Sequence, residues 1–475
     1  MSNTNDIPVP QARYALLQSD RKSCLFRNRF ILVGLLVIVV SFFTLSVYIA
    51  TIGIYDQVLF PKTNGKKDLP KHWINRAIFY NSIDYNNVNK TEELIYKKAP
   101  NVETFKLVCY YSFPTEKSIK ENSSGILLPE NIDANLCTHI NLAFADIVNN
   151  SIYLDTFKLD AAKSIINLKK ENKNLKVLLS IGGAGSGKGF PEMVLNHANR
   201  KTFIKSIDFY VKHYKFDGID LDWEFPNRQL SKDKKEKVHF TQLLHEIRNE
   251  INRQEKHKFL LSVAVAAPSF IVDISYDVSY MNEYVDYINL MSYDFHFYTK
   301  FTPFTGLNAP LYSVPNQIGY FATLNINYSA NYWHVKGMDK NKIIIGLPTY
   351  GHSFKLLNPN NNGIDAPAKG YGTLGKNGFI DYNDVCWFLN KNQIKPCFDM
   401  ETKSPYATKY SEWISYDEQT SLTFKAEYIK NNNFGGAMIL SLNTDDHQGL
   451  CKSDSKGVRF PLTNRVRTIL NDQQL

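Results

Sequence analysis

The 475-residue sequence has few dense runs of basic side chains, although its formal net charge is +9. Its 55 Lys and Arg and 46 Asp and Glu residues are spread along the chain, which favours a solvated, mildly basic surface over nucleic-acid binding. It also lacks internal repeats, and its low-complexity tracts are limited to two short asparagine runs, 360–362 and 431–433. With 44% hydrophobic and 13% aromatic residues, the composition indicates a globular protein with a sizeable core.

Charge is absent from residues 30–55, FILVGLLVIVVSFFTLSVYIATIGIY, a run long enough to cross a bilayer as a helix. Basic residues outnumber acidic ones before this run, and Asp56 precedes Lys62 after it. The positive-inside rule therefore predicts a single-pass type II membrane protein whose chain beyond about residue 55 is lumenal or extracellular. A cleaved signal peptide is the alternative, but its apolar core is usually only about 7–15 residues long.

This topology divides the sequence into a cytoplasmic tail (1–29), a transmembrane signal anchor (30–55), a stem (56–104) rich in Asn, Lys and Tyr, and an outer domain (105–475). Most cysteines lie on the outer side, where disulfides persist: Cys109, Cys137, Cys386, Cys397 and Cys451. Candidate N-glycosylation sequons lie on the same side, at Asn89, Asn122, Asn149 and Asn327.

A regular alternation of strand-like and helix-like segments begins near residue 105. Short apolar, β-branched runs occur at 107–112, 138–145, 176–183, 218–225, 259–267, 284–294, 342–351 and 435–443. Amphipathic segments such as 157–172 and 238–254 separate several of them. This α/β order predicts a closed (β/α)8 TIM barrel. A doubly wound open sheet is the alternative, but no glycine-rich phosphate loop follows the first strand. The long interval 352–434 predicts a small α+β insertion between strands 7 and 8.

The run Phe216–Pro226, FDGIDLDWEFP, carries acidic residues at every second position. Alternation along a strand places Asp220, Asp222 and Glu224 on one face, about 7 Å apart, and in a barrel that face points inward. Closely spaced buried carboxylates cannot all ionise cheaply, so at least one is expected to hold the proton that a general acid needs. A solvated edge strand, a calcium loop and another divalent metal site are the competing interpretations. The alternating apolar residues oppose the first, and the sixth position of a calcium loop, which requires glycine, is Phe225 here.

The motif Asp217-x-x-Asp220-x-Asp222-x-Glu224 resembles the signature of glycoside hydrolase family 18, the chitinases and chitinase-like lectins. Further segments resemble that family in the same order: SIGG at 180–183, MSYD at 291–294, GLPTYG at 346–351, SEWISYDEQTS at 411–421 and GGAMILSLNTDD at 435–446. The resemblance covers about residues 105–470. It implies a (β/α)8 barrel with an α+β insertion, in agreement with the strand count.

The resemblance also implies a mechanism, a retaining hydrolysis in which the substrate's own N-acetyl group is the nucleophile. Glu224 would protonate the glycosidic oxygen, Asp222 would orient the acetamido group, and Asp220 would share the proton of Asp222. Tyr293 would hydrogen-bond the acetamido oxygen. The other residues expected around the substrate are Tyr110, Gly183, Met291, Asp294 and Tyr350. The implied ligands are chitin or other N-acetylglucosamine glycans linked β-1,4, and neither a metal nor an organic cofactor is implied.

The family resemblance further implies two disulfides, Cys109–Cys137 and Cys386–Cys451, and leaves Cys397 unpaired.

The sequence departs from the family where tryptophans usually stack on sugars. Ala184 follows the SIGG motif, Leu440 replaces the tryptophan expected at the floor of the cleft, and an aromatic residue expected near Phe113–Pro114 is missing. His352 replaces an arginine. Two hypotheses follow: a membrane-anchored hydrolase with weak or altered substrate preference, and a catalytically silent glycan-binding or signalling protein.

Overall fold

The computed structural model describes residues 105–115, 125–185, 187–228, 235–254, 256–451 and 457–472. The predicted cytoplasmic tail, signal anchor and stem, with the sequon at Asn89, lie outside these residues, as does the sequon at Asn122. Within the described ranges, no helix combines the length and apolar character needed to cross a membrane.

The described residues form strands and helices with the following bounds. The strands are β1 (Lys106–Ser112), β2 (His139–Val148), β3 (Ser151–Tyr153), β4 (Lys176–Gly182), β5 (Gly218–Asp222), β6 (Leu260–Ala266), β7 (Tyr287–Met291), β8 (Ile343–Pro348), β9 (Tyr350–Leu356), β10 (Ala368–Tyr371), β11 (Phe379–Asp381), β12 (Cys397–Asp399), β13 (Ser404–Lys409), β14 (Glu412–Ser415) and β15 (Gly436–Leu440). The α-helices are α1 (Thr156–Asn167), α2 (Phe190–Val194), α3 (His197–Tyr214), α4 (Glu236–Arg253), α5 (Ser269–Ser275), α6 (Val278–Tyr284), α7 (Ile326–Val335), α8 (Tyr382–Asn392), α9 (Gln419–Asn431) and α10 (Pro461–Asn471).

Eight parallel strands close into a barrel in the order β1, β2, β4, β5, β6, β7, β8, β15. The ring is closed because β1 pairs in parallel with both β2 and β15. Each of these strands lies within or overlaps one of the eight runs predicted from the sequence. The predicted parallel barrel is therefore confirmed, and the outer faces of its strands are apolar because helices cover them.

The fourth barrel strand, β5, shows how the sequence pattern sets the two faces. Ile219 and Leu221 are fully buried, and so is Trp223 just after the strand. The Trp223 ring stacks on Phe190 of α2 at 5.2 Å and meets Phe240 of α4 edge-on at 5.6 Å. The apolar side chains of this segment therefore anchor it to the outer helices, which leaves the alternate carboxylates to face the barrel interior.

A second sheet lies between the last two barrel strands. It is antiparallel, with the order β10-β9-β14-β13-β12, and β11 also pairs with β9. Its strands span residues 350–415, and α8 lies between β11 and β12. Because β9 begins two residues after β8 ends, this sheet is tied directly to the mouth of the barrel.

Two disulfides fix elements of the barrel and of the insertion. Cys109 of β1 is bonded to Cys137, just before β2, and Cys386 of α8 is bonded to Cys451, beyond β15. Cys397 is a free, exposed cysteine on β12. The pairing implied by the family resemblance is confirmed.

Candidate active site at the carboxyl ends of the barrel strands

Asp220 lies in the barrel interior and is completely buried. Its Oδ2 accepts hydrogen bonds from the Tyr110 hydroxyl at 2.6 Å and from Ser180 Oγ at 2.7 Å. Its Oδ1 accepts from Ser262 Oγ at 2.7 Å and from Asn289 Nδ2 at 3.1 Å. Four donors from four different strands therefore fix the position of one buried side chain and satisfy both of its oxygens.

Asp222 lies two residues after Asp220, nearer the mouth of the barrel, and has a very different environment. It is buried, and its Oδ1 accepts no hydrogen bond from the described residues. Burial raises the pKa of Asp222 well above its usual range, and the nearby carboxylates of Glu224 and Asp220 raise it further. The protonated form of Asp222 is therefore favoured.

Glu224 follows β5 and lines the cleft at its carboxyl end. Burial raises the pKa of Glu224, the Asp294 carboxylate raises it further, and Arg228 acts in the opposite direction. A glutamic acid with a raised pKa retains its proton closer to neutral pH, as a general acid requires.

On the other side of this cleft, β7 and β9 contribute a second group of polar residues. The Asp294 carboxylate accepts a hydrogen bond from the Tyr350 hydroxyl and contacts His352 Nε2, each at 2.7 Å from Oδ1. Tyr293 is buried, with its ring 6.1 Å from that of Tyr350. Burial raises the pKa of Tyr293, and the Asp222 carboxylate adds to the effect. The Tyr293 hydroxyl is therefore protonated and can donate a hydrogen bond to a ligand.

These side chains surround an open cleft of about 860 Å³. The residues predicted around the substrate that line it are Tyr110, Asp222, Glu224, Met291, Tyr293, Asp294 and Tyr350. Ala184 and Leu440, the two positions without the family's tryptophans, line the same cleft. Asp220 lies beneath this surface and reaches the cleft only through its bonded neighbours, of which Tyr110 is one.

Gly183 is a predicted substrate residue that does not line the cleft. Its backbone N–H donates to the Asp222 carbonyl at 2.8 Å. Its φ is +84°, and an added Cβ would lie 2.7 Å from the Phe144 ring. This glycine therefore positions β4 against β5 and allows Phe144 to approach, which is a supporting role.

The structure separates the residues of the acidic motif. Asp217 lies at the opposite end of β5, where Oδ2 accepts from Lys169 Nζ at 2.7 Å and from the Val177 N–H at 2.8 Å. Conversely, sequence reasoning did not single out Ser262 and Asn289, which bond Asp220. A polar residue within the apolar strands β6 and β7 was the only signal that could have found them.

The acidic residues that the structure describes in the cleft are not arranged as a metal-binding group. Among the residues that the structure describes, no group of three or more His, Cys, Asp or Glu side chains is arranged to hold a metal ion.

Comparison with known proteins agrees with this geometry. The family model for glycosyl hydrolases family 18 matches residues 106–445. The chain belongs to that family. Human chitinase-3-like protein 2 is 38% identical over 376 residues, covering 77% of this chain and 93% of that protein. Mouse chitotriosidase-1 is 35% identical over 377 residues, covering 77% and 78% respectively.

Solved structures of family 18 proteins are similar as well. An immunomodulatory active chitinase from Trichuris suis has a TM-score of 0.72 at 34% identity, with 77% of this chain and all of that chain covered. Human YKL-39, described as a pseudo-chitinase with retained chitooligosaccharide binding properties, has a TM-score of 0.71 at 36% identity, with coverage of 78% and 100%. The family 18 chain described here is thus chitinase-like, and the structures similar to it include one described as an active chitinase and one described as a pseudo-chitinase.

Proposed function

We propose that this family 18 chain hydrolyses β-1,4-linked N-acetylglucosamine glycans by a retaining, substrate-assisted mechanism. The observation that carries the proposal is the contrast between two neighbouring carboxylates. Asp220 accepts four hydrogen bonds, whereas Asp222 is buried with one oxygen unpartnered by the described residues and with a raised pKa. Titratable groups whose environments differ in this way are the mark of an acid–base site.

In the first step, the proton on Glu224 passes to the glycosidic oxygen as the bond to the anomeric carbon breaks. The carbonyl oxygen of the substrate's own acetamido group attacks that carbon from the opposite side and forms a cyclic oxazolinium ion. In the second step, Glu224 takes a proton from water, whose oxygen opens the ring and restores the original configuration. Glu224 ends the cycle protonated, so one water is consumed for each bond cleaved.

Asp222 and Tyr293 would hold the acetamido group during this cycle. When Asp222 turns towards the substrate, its carboxyl oxygen can accept the acetamido N–H as positive charge develops. The Tyr293 hydroxyl would donate to the acetamido oxygen. Asp294, held by Tyr350 and His352 at 2.7 Å each, would accept from a hydroxyl group of the sugar.

The experiment is a turnover assay of the full chain on N-acetylglucosamine oligomers from two to six units, with products separated by chromatography. The anomeric configuration of the first product is followed by NMR. We expect release of the β-anomer from the wild type and none from Glu224→Gln. No turnover by correctly folded wild-type protein, or activity that persists in Glu224→Gln, would contradict the proposal.

A second candidate function, glycan binding without turnover, is favoured by one observation. Leu440 and Ala184 line the cleft where a stacking tryptophan is expected, so the transition state would be held less firmly. The similar human YKL-39 is itself described as a pseudo-chitinase that retains chitooligosaccharide binding. Micromolar binding of the oligomers by a wild type that does not cleave them would select this function.

We also propose that residues 30–55 anchor the protein in type II orientation, so that the barrel is lumenal or extracellular. The charge pattern around the apolar run supports this orientation. In sealed vesicles, protease added on the cytosolic side should remove only a short N-terminal segment.

Glycosylation gives a sharper test of the orientation. Asn149 is exposed in the turn between β2 and β3, whereas Asn327 Oδ1 accepts from the Tyr428 hydroxyl at 2.9 Å. We therefore expect a glycan on Asn149 in preference to Asn327. An unglycosylated protein whose barrel is cleaved from the cytosolic side would exclude the type II orientation.

A further inference from the structure

The cleft retains a large aromatic surface although tryptophan is missing from its floor. Four of the aromatic side chains that line it are substantially exposed: Phe297 at 42%, Tyr320 at 49%, Phe321 at 38% and Phe379 at 40%. Single exposed aromatic residues are common on protein surfaces, but rings gathered in one groove mark a ligand-binding site. These four residues are called the aromatic wall below.

The aromatic wall is built from one part of the chain. Phe297 follows β7, Tyr320 and Phe321 precede α7, and Phe379 begins β11 of the insertion. All four therefore belong to the connections that lie between β7 and β15. The described residues near the first four barrel strands also contribute aromatic side chains to the cleft, but Tyr110 and Phe225 are buried and Phe144 is partly buried.

Two rings of the aromatic wall are held against the catalytic cluster. Phe379 stacks on Tyr350, with centroids 4.4 Å apart and planes inclined at 22°. The Phe297 ring lies 5.6 Å from that of His352. Because Tyr350 and His352 both bond Asp294, the two phenylalanines are fixed next to the proposed sugar-binding carboxylate. Their exposed faces are thus available to a ligand without a large loss of side-chain entropy on binding.

The floor of the cleft offers no comparable surface. Leu440 presents branched methyl groups in place of a flat ring, and Ala184 presents a single methyl group. Carbohydrate rings bind aromatic faces through their axial C–H groups, which a flat π-surface accommodates better than an aliphatic side chain does. Because the floor is aliphatic and the aromatic wall is not, we expect most of the stacking energy available to a sugar to come from the aromatic wall at the side of the cleft.

We infer that the aromatic wall, and Phe297 and Phe379 in particular, is the sugar-stacking surface of this cleft and replaces the missing floor tryptophan. The inference rests on the proposed function for the class of ligand, a β-1,4-linked N-acetylglucosamine oligomer, but it concerns binding and not turnover. Specificity is then determined by the β7–β8 connection and by the insertion, next to Asp294 and His352.

The test measures binding of the N-acetylglucosamine hexamer by calorimetry to the full chain carrying Glu224→Gln, which prevents cleavage. In that background Phe297→Ala and Phe379→Ala should each weaken binding by about two- to ten-fold. Phe297→Tyr and Phe379→Tyr keep a ring and should bind within two-fold of the parent. Because Phe379 also packs on Tyr350, Phe379→Leu provides a variant that keeps the apolar volume but removes the flat face.

Phe301 provides a matched control, since it lies in the same connection as Phe297, is 96% exposed and does not line the cleft. Phe301→Ala should leave binding unchanged, and Leu440→Ala should weaken it less than either wall variant does. Equal binding by the wall variants and the parent would overturn the inference, as would a larger loss in Leu440→Ala.

The outcomes also separate this inference from the proposed function. Cleavage by the wild type together with unaltered binding by the wall variants would support the proposed hydrolase function and contradict the stacking role of the aromatic wall. Weakened binding by the wall variants without cleavage by the wild type would support the stacking role of the aromatic wall and contradict the proposed hydrolase function. Absence of hexamer binding in every protein overturns both.

Discussion

Leu440→Trp should partly restore the floor of the cleft. Leu440 is the last residue of β15 and lies on the same face as Met438, two residues earlier, whose Sδ is 4.0 Å from the Tyr293 hydroxyl. A side chain at 440 is therefore above Met438 and close to the residue proposed to hold the acetamido oxygen. The cleft of about 860 Å³ leaves space for an indole to extend towards a ligand.

The expected gain follows from the contact that the indole would add. An aromatic contact contributes about 0.5–1.5 kcal/mol beyond burial of apolar area, which corresponds to about two- to twelve-fold in an equilibrium or rate constant. The sugar is distorted during attack, so support from below should favour the transition state over the ground state. We therefore expect Leu440→Trp, alone or with His352→Arg, to raise kcat/KM by about two-fold or more.

The assay compares kcat/KM on the N-acetylglucosamine tetramer for wild type, Leu440→Trp and Leu440→Met. Methionine has nearly the volume of leucine but no ring, so Leu440→Met should match the wild type. Binding to each variant is measured separately in the Glu224→Gln background. A folded Leu440→Trp protein that gains neither affinity nor turnover would show that position 440 does not contact the sugar, and that the cleft is shaped for another ligand.

Three further predictions follow from the site and the core. Glu224→Gln should lower kcat by about 10²–10⁴-fold with little change in oligomer binding, and wild-type kcat should fall on the alkaline side as Glu224 loses its proton, at a pH above the usual range for glutamate because its pKa is raised. Burial lowers the pKa of His139 to about 3, so the unfolded chain takes up a proton below pH 6.5 that the folded chain does not. In urea titrations, the free energy of unfolding should therefore be about 3 kcal/mol lower at pH 4 than at neutral pH. That loss should be absent from His139→Gln and retained in the exposed control His257→Gln. Replacing Cys386 and Cys451 together by serine opens a loop closed over 65 residues and should lower the free energy of unfolding by about 4 kcal/mol in denaturant titrations; an unchanged midpoint would refute the loop-entropy reasoning.

Much of this architecture is written locally in the sequence. Apolar, β-branched runs separated by amphipathic segments predict a parallel barrel because helices cover the outer face of each strand and favour apolar side chains there. The period of two residues in FDGIDLDWEFP directs Asp220 and Asp222 inward and Trp223 to the outer helices. Family resemblance supplied the disulfide pairs and the expected site residues, which spacing alone does not provide.

Only the tertiary structure decided how these residues meet. Asp220 is bonded by four residues that are 40 to 110 positions away in the sequence, Tyr110, Ser180, Ser262 and Asn289. They meet because closure of the barrel and the register of its strands place these side chains at the same height along the barrel axis. The same register sends Asp217 to the far end of β5, although it stands only three residues before Asp220 in the sequence.

The aromatic wall has the same origin. Nothing local distinguishes Phe297 and Phe379 from the control Phe301 or from the many other phenylalanines in the chain. Their positions beside His352 and Tyr350 follow from the path of the β7–β8 connection and from the pairing of β11 with β9. Side-chain alternation is a property of one strand and can be read from its sequence, whereas contact between distant connections depends on how the closed barrel packs against its insertion.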